Sequence, residues 1–267
     1  MRFGLTLPIF DRLADPRLLA ELAQAAEAAG WDGFFVWDHV RYRAPITAAT
    51  DPWIALAAIA TATERVTIGP MVTPLARRRP QIVARQAVAL DHLTGGRLVL
   101  GVGLGLDASG EEFARFGEET DIRKRGQMYD EALDLLVALL SGENVNHHGS
   151  NYTVEDVQFL PRPVRGNLPI WVAARWPNQR PLRRAARFDG VFAIDLTPAE
   201  LTDALAVINN ERETDTSYDV VVHDQAGAQA SAWAAAGATW LLTTFDPFTA
   251  DPAAIRSVID SGPGDAG

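Results

Sequence analysis

The pair Asp38-His39 follows the apolar run Gly33 to Trp37, which puts a carboxylate and an imidazole together at the end of a predicted strand. Histidine exchanges protons near neutral pH, so this pair is the strongest acid–base candidate in the chain. The competing reading is structural: His39 caps the strand or hydrogen-bonds Asp38, and Trp37 only packs. A second feature is the alternation of Gly101, Gly103 and Gly105 at the end of another apolar run, where a backbone bare of side chains admits a flat ligand. The spacing is not Gly-x-Gly-x-x-Gly and no helix follows at once, which argues against a dinucleotide fingerprint. Arg175, Asn178 and Gln179 stand at the end of a further run, just ahead of a helical stretch. Polar groups and a helix N-terminus meeting there would suit a phosphate.

Other polar clusters read more plainly. Gly69-Pro70-Met71-Val72-Thr73-Pro74 suggests an irregular strand end, a bulge able to back a ring, and Arg77-Arg78-Arg79 could meet an anionic tail or simply start a solvated helix. Arg183, Arg184 and Arg187 read as partly solvated helix surface. His147, His148 and Tyr152 lie on a long connection from which they could reach a substrate or serve as ordinary loop residues. No cysteine occurs, so disulfides and thiolate catalysis are excluded. No metal-ligand spacing, Walker loop or Gly-x-Ser-x-Gly elbow is present. Lys124 is the only lysine and follows no strand, which removes the strand-end amine that a barrel aldolase would use.

A formal net charge of −10 disfavours nucleic acid and anionic membranes as partners and leaves small molecules. The apolar start, Phe3 to Phe10, is broken by Pro8 and followed by Asp11 with no small-residue cleavage site, so it reads as a strand rather than a signal peptide. With no apolar run near the roughly 18 residues of a membrane span, a cytoplasmic protein is expected.

The elements that must position these residues alternate regularly. Strand-like runs fall at Phe3 to Leu7, Gly33 to Trp37, Val66 to Val72, Leu98 to Val102, Ile170 to Ala173, Val191 to Ile194, Val220 to Val222 and Trp240 to Thr243. Helical patterns separate them, clearest at Pro16 to Ala29, where Leu18, Leu22, Ala25, Ala26 and Ala29 would share one face before Gly30. Asp15-Pro16, Asp51-Pro52, Thr197-Pro198 and Asp251-Pro252 each pair an N-cap acceptor with a proline at the first helical position. The strand count favours a single (β/α)8 TIM barrel of residues 1–260 with a fraying tail at 261–267; an open doubly wound sheet would use the same elements. Leu106 to Ile122 and Ser141 to Pro169 are long enough to be lids or binding loops, the second holding a hairpin around Gly149.

Over essentially its full length the chain resembles the bacterial luciferase-like flavin-dependent oxidoreductases. The likeness is carried by Phe3-Gly4-Leu5-Thr6-Leu7-Pro8, by Asp38-His39, by Asp91-His92-Leu93-Thr94-Gly95-Gly96-Arg97 through Gly105, and by Pro169-Ile170-Trp171-Val172 with Ala185-Ala186-Arg187-Phe188-Asp189-Gly190. The resemblance implies a barrel that binds FMN or the deazaflavin coenzyme F-420 at its C-terminal face, often as a homodimer. It implies a non-proline cis peptide at Met71-Val72 behind the cofactor ring, His39 as a proton-transfer residue and Asp38 as a cofactor contact. Ala173, Ala174 and Arg175 replace the glycine-rich phosphate loop usual in the family, and Leu106-Asp107 stands where sugar-phosphate dehydrogenases of the family carry a glutamate. The expected activity is hydride transfer or monooxygenation of a small organic substrate enclosed by the two long loops, with the deazaflavin preferred because of Asp38-His39. The alternative is a flavin-binding barrel without catalysis.

Overall fold

The computed structural model describes residues 1–107, 109–213, 216–225 and 230–264. The strands are β1 (Arg2–Leu7), β2 (Gly33–Val36), β3 (Thr67–Pro70), β4 (Thr73–Pro74), β5 (Leu100–Gly103), β6 (Asn144–His148), β7 (Thr153–Gln158), β8 (Ile170–Arg175), β9 (Gly190–Ile194), β10 (Asp219–Asp224) and β11 (Trp240–Thr244). The helices are α1 (Pro16–Ala28), α2 (Pro52–Ala62), α3 (Pro80–Thr94), α4 (Ile122–Leu140), α5 (Gln179–Ala185), α6 (Pro198–Glu211), α7 (Ala230–Ala235) and α8 (Pro252–Asp260). Among the described residues no helix is long and apolar enough to cross a membrane.

The main sheet runs β3-β2-β1-β11-β10-β9-β8-β5-β4, all parallel. β3 and β4 are two halves of one barrel strand, separated by Met71 and Val72, whose peptide is cis. Because β3 pairs with β2, β4 pairs with β5 and Ile68 bridges to Leu98, the sheet closes into a ring at this split strand. Every one of the eight expected runs is a barrel strand, and the open-sheet alternative falls. The seam depends on backbone contact: a Cβ on Gly69 would lie 1.9 Å from the Val99 carbonyl oxygen, and one on Gly101 2.2 Å from that of Pro70.

Side chains alternate across the strands. Leu5, Leu7, Phe34, Val36, Val172, Ala174 and Val222 pack outward against the helices. Phe35, Met71, Val99, Trp171, Phe192, Val221, Trp240 and Leu242 fill the lumen. Phe35, Trp171 and Trp240 meet with ring centroids 5.4 to 6.0 Å apart. Burial of each such ring stabilises the fold by on the order of 2–3 kcal/mol, and together they plug the lumen.

All four expected N-caps form. Asp15 accepts from the Arg17 amide, Asp51 from Trp53 and Ile54, Asp251 from Ala254, and Thr197 makes a capping box with Glu200. The buried stripe of α1 differs from expectation: it is Leu19, Leu22, Ala23 and Ala26, with Leu18, Ala25 and Ala29 on its flank. The same apolar run offers both stripes, and packing against α2 and the sheet selects the one rotated by a residue.

The two long connections go to different places. The first, after β5, lies at the C-terminal rim and holds the 3-10 turn Ala114–Phe116. The second forms the β6–β7 hairpin and runs along α3: Arg85 donates to the Leu160 carbonyl at 2.7 Å and lies over the Phe159 ring, His92 bonds the Arg162 carbonyl at 2.8 Å, and Asp91 accepts from the Val164 amide at 2.7 Å. Glu131 of α4 accepts from the amides of Asn151 and Tyr152 and meets His147 Nε2 at 3.1 Å, while His148 faces Glu155. The second loop is therefore a strap on the outside of the helices rather than an enclosure for substrate. A helix-to-strand connection starts and ends at the opposite rim, so this segment has no need to visit the mouth.

Burial alone would raise the Glu131 carboxyl, but the bonds from His147, Asn151 and Tyr152 outweigh it and lower it from 4.5 to about 2. A depressed carboxylate stabilises above its unfolded pKa and loses that contribution as pH falls through its folded value. The strap is expected to loosen between about pH 4.5 and pH 2, seen as shifts of the Asn151 and Tyr152 amide resonances, and Glu131→Gln should abolish that pH dependence. Amide positions that stay constant over the same window would show that Glu131 is not the anchor.

Candidate active site

The lumen opens upward into a cup. Val72, Ala173 and Ile194 rest on the lumen cluster and are half-buried, and the next inward positions on β10 and β11 are His223 and Thr244, also half-buried. On the β2 side stand Trp37 and His39, in an aromatic group with Phe10 and Tyr42; the His39 ring lies 5.6 Å from Phe10 and 5.2 Å from Tyr42.

His39 does not pair with Asp38. Its Nδ1 meets Glu112 Oε2 at 2.7 Å, and the other Glu112 oxygen accepts from the Val40 amide at 2.9 Å. Glu112 is 4 % exposed and arrives from the first long loop. Asp107 accepts from the amides of Glu112 and Ala114, both at 2.9 Å, and so shapes the turn that delivers it. Burial opposes ionisation of Asp107, but these amide bonds and that of Phe113 hold its carboxyl below the usual range. The imidazole thus has Nδ1 fixed by a buried carboxylate, while no hydrogen bond to Nε2 is found among the described residues. That arrangement can accept or release a proton while the ring stays oriented.

Asp38 lies beneath, 1 % exposed. Thr73 Oγ1 donates to it at 2.8 Å, Arg78 at 2.9 Å and Arg77 at 3.3 Å, and Arg77 also reaches Glu112 at 3.6 Å. The expected solvated arginine run is corrected here: Arg77 and Arg78 turn inward to neutralise Asp38, whose carboxylate is consumed by protein donors and positions the rim from below.

Met71 and Val72 take the predicted cis peptide, with Val72 facing the cup. Gly103 is bare because a Cβ there would lie 2.6 Å from Val72 Cγ2, and Gly105, at φ 78°, because one would lie 2.9 Å from Phe113; both glycines fit the bulge and the loop. Arg175 is exposed at the rim and paired with Asp195. Ala174 points outward into the helix layer, leaving Ala173 as the inward residue. Asn178 donates its side chain back to the Arg175 carbonyl at 3.1 Å, and Gln179 accepts from Arg183 at 3.3 Å. Asn178 and Gln179 are therefore spent on their own turn and helix, and the expected phosphate cradle is not preformed. Of the arginines expected at the surface, Arg184 is instead buried against Asp130.

Sequence reading missed Glu112 and His223. Glu112 sits in an aperiodic loop, and its one cue is the adjacent Phe113, an apolar residue that becomes fully buried. His223 continues the inward alternation of β10 one step past Val221, which extending the strand to Asp224 would have exposed.

Removing one charge from a buried pair leaves the others uncompensated, at about 3 kcal/mol. Asp38→Asn is expected to lower unfolding free energy by about that amount in urea titration and to move the His39 ring resonances. A loss below about 0.5 kcal/mol would show that Arg77 and Arg78 find equivalent partners.

A family model described as luciferase-like monooxygenase matches residues 1–254. An F-420-dependent glucose-6-phosphate dehydrogenase of Beutenbergia cavernae is 37% identical over 167 residues, covering 61% of this chain and 48% of that one, so the match spans about half the relative's length. Among solved structures, an F-420-dependent secondary alcohol dehydrogenase in complex with an F-420-acetone adduct superposes with a TM-score of 0.80 at 16% identity, covering 97% of each chain. The oxygenating constituent of 3,6-diketocamphane monooxygenase from Pseudomonas putida, in complex with FMN, gives 0.69 at 20% identity over 84% of this chain and 67% of that one. At such identities both structures speak to the fold, a barrel of the same kind. Taken with the family match across nearly the whole sequence, they leave one assignment: the chain belongs to the luciferase-like monooxygenase family.

Proposed function

We propose that this protein is a two-electron oxidoreductase that holds the deazaflavin coenzyme F-420, or FMN in its place, against Val72 and acts on a small organic substrate beside His39. The observation that carries this reading is the 2.7 Å contact between His39 Nδ1 and the buried Glu112, which leaves Nε2 as the proton-exchanging atom at the mouth. The F-420 dependence of the dehydrogenase relative supports the deazaflavin over FMN. The residues present suit a flat tricyclic ring: Val72, Ala173 and Ile194 give an apolar floor, and Gly103 lets the Val72 side chain reach it. An anionic tail would engage Arg175 in competition with Asp195.

When bound, the cofactor supplies a hydride acceptor or donor, and FMN also a route to oxygen. The chain's own part is orientation and proton transfer. For an alcohol, the C–H pair leaves as hydride and the hydroxyl proton passes to His39 Nε2; for a carbonyl, the same proton returns to oxygen. Glu112 stabilises the imidazolium formed in between, and Trp37, Phe10 and Tyr42 exclude water around the ring. The sugar-phosphate substrate named for the relative is not carried over, since its matching loop differs at Leu106.

His39→Ala is expected to keep deazaflavin affinity within about threefold while oxidation of 2-propanol or cyclohexanol falls by about 10²–10⁴. Unchanged turnover would move the proton transfer elsewhere. No turnover in either protein, with the cofactor bound, would favour a barrel that only carries its ligand.

A homodimer and a cytoplasmic site of action belong to the same proposal. Support for the dimer comes from the outer face of α2, which is apolar apart from Thr61: Ile54 is 63% exposed beside Ala57 and Ala58, and Ile82 of α3 is 53% exposed. Sedimentation equilibrium is expected to give a dimer that Ile54→Glu converts to monomer without changing the fold; a monomeric parent protein would end this part of the reading.

A further inference from the structure

Resting on the reading of the cup as a redox site, we infer that its substrate is an uncharged alcohol or carbonyl compound whose oxygen is bound by His223 and Thr244. The ring of strands fixes where such a substrate lies. β10 stands four strands from the split strand β3/β4 in either direction around the barrel. A flat cofactor resting on Val72 would leave the β10–β11 side of the cup to the substrate, and that wall would then read it.

The inward residues there are His223 and Thr244, with Thr6 of β1 beside Thr244 in register. The His223 ring lies 5.4 Å from the Phe192 ring, and no hydrogen-bond partner for its nitrogens or for the Thr244 hydroxyl is found among the described residues. Thr6 is 2 % exposed and its hydroxyl is bonded to nothing. A buried hydroxyl left unsatisfied is costly in a folded protein, so its retention points to a ligand or water on the lumen side. Burial pushes the His223 imidazole down from its ordinary value, against the pull of Asp195 and Asp224 and with the aid of Arg175, which favours the neutral ring. A neutral imidazole and a hydroxyl each both donate and accept. They can therefore donate to the oxygen of an alcohol or of a carbonyl without a change of charge, which leaves an alcohol's O–H for His39.

The cations around the mouth argue the same way. Arg175 is paired with Asp195, Arg41 with Glu111, Arg77 and Arg78 with Asp38, and Lys124 with Glu119. Arg43 lies over the rings of Tyr42 and Phe248 at the outer edge. A phosphate dianion calls for several converging cationic donors, and the β10–β11 wall offers no cation among the described residues.

The test titrates cofactor-loaded protein with cyclohexanol, cyclohexanone and glucose 6-phosphate, reading the His223 ring nitrogens by NMR and affinity by calorimetry. Cyclohexanol and cyclohexanone are expected to shift the His223 signals, and glucose 6-phosphate to leave them in place. His223→Leu should weaken cyclohexanol binding about tenfold with deazaflavin affinity changed less than threefold. Thr6→Val, which removes only the orphan hydroxyl, should raise the melting temperature by a few degrees, and a drop instead would show that the hydroxyl serves the free protein. If the cofactor binds and cyclohexanol leaves the His223 signals unmoved, or glucose 6-phosphate moves them, the inference fails alone. If neither F-420 nor FMN binds, the redox reading fails first. Should His223→Leu not fold, the shifts in the unaltered protein still decide.

Discussion

Asp38 is a carboxylate taken wholly out of water, and such a group persists only where donors and cations surround it. Here Thr73 comes from β4 and Arg77 and Arg78 from the turn beyond it, so one buried charge binds the end of β2 to the far half of the split strand. Arg77 passes the constraint on: it lies between Asp38 and Glu112, and Glu112 orients His39. The imidazole and the cis peptide at Met71-Val72 are thereby held in one frame, although they belong to different strands. A shift of either segment would leave a buried charge without its partner, which is a steeper penalty than any surface contact could impose.

What the residues announced in advance follows from how local each signal is. Eight apolar runs, four Asp/Thr-Pro caps and the hairpin at Gly149 depend on neighbours in sequence, and all of them appear. Features set by distant partners did not. Arg77 and Arg78 look like a solvated helix start until Asp38, some forty positions earlier, is seen buried beneath them. Asn178 and Gln179 have the composition of a phosphate loop, but their turn is tight enough to absorb their own polar groups. The glycines at 101 and 103 were legible as places of close approach; that the approaching groups are Pro70, Met71 and Val72 rather than a ligand required the closed ring.

The cup is chemically divided by the same alternation that closes the barrel. Glycine and valine at the seam make one wall flat and apolar, while the inward positions of β10 and β11 carry an imidazole and a hydroxyl. Below both, the Phe35, Trp171 and Trp240 plug denies depth, so a ligand must lie across the mouth rather than enter along the axis. A planar ring laid across such a mouth meets the apolar wall with one face and leaves the other for chemistry.

The first long loop couples these parts. Asp107 follows the glycine strand directly and nucleates the turn that carries Glu112, while Phe113 tucks under Gly105 and is covered by the Arg125 guanidinium at 4.4 Å. Arg125 also donates to the Gly105 carbonyl at 3.3 Å, tying the loop to the first turns of α4. Anchored at both ends, the loop cannot carry Glu112 away from His39 without uncovering the Phe113 ring and breaking the contacts of Glu112 with His39, the Val40 amide and Arg77. The orientation of the His39 ring is therefore fixed by the fold before any ligand arrives. Preorganisation of this kind holds a side chain at a defined point in space rather than over a swept volume.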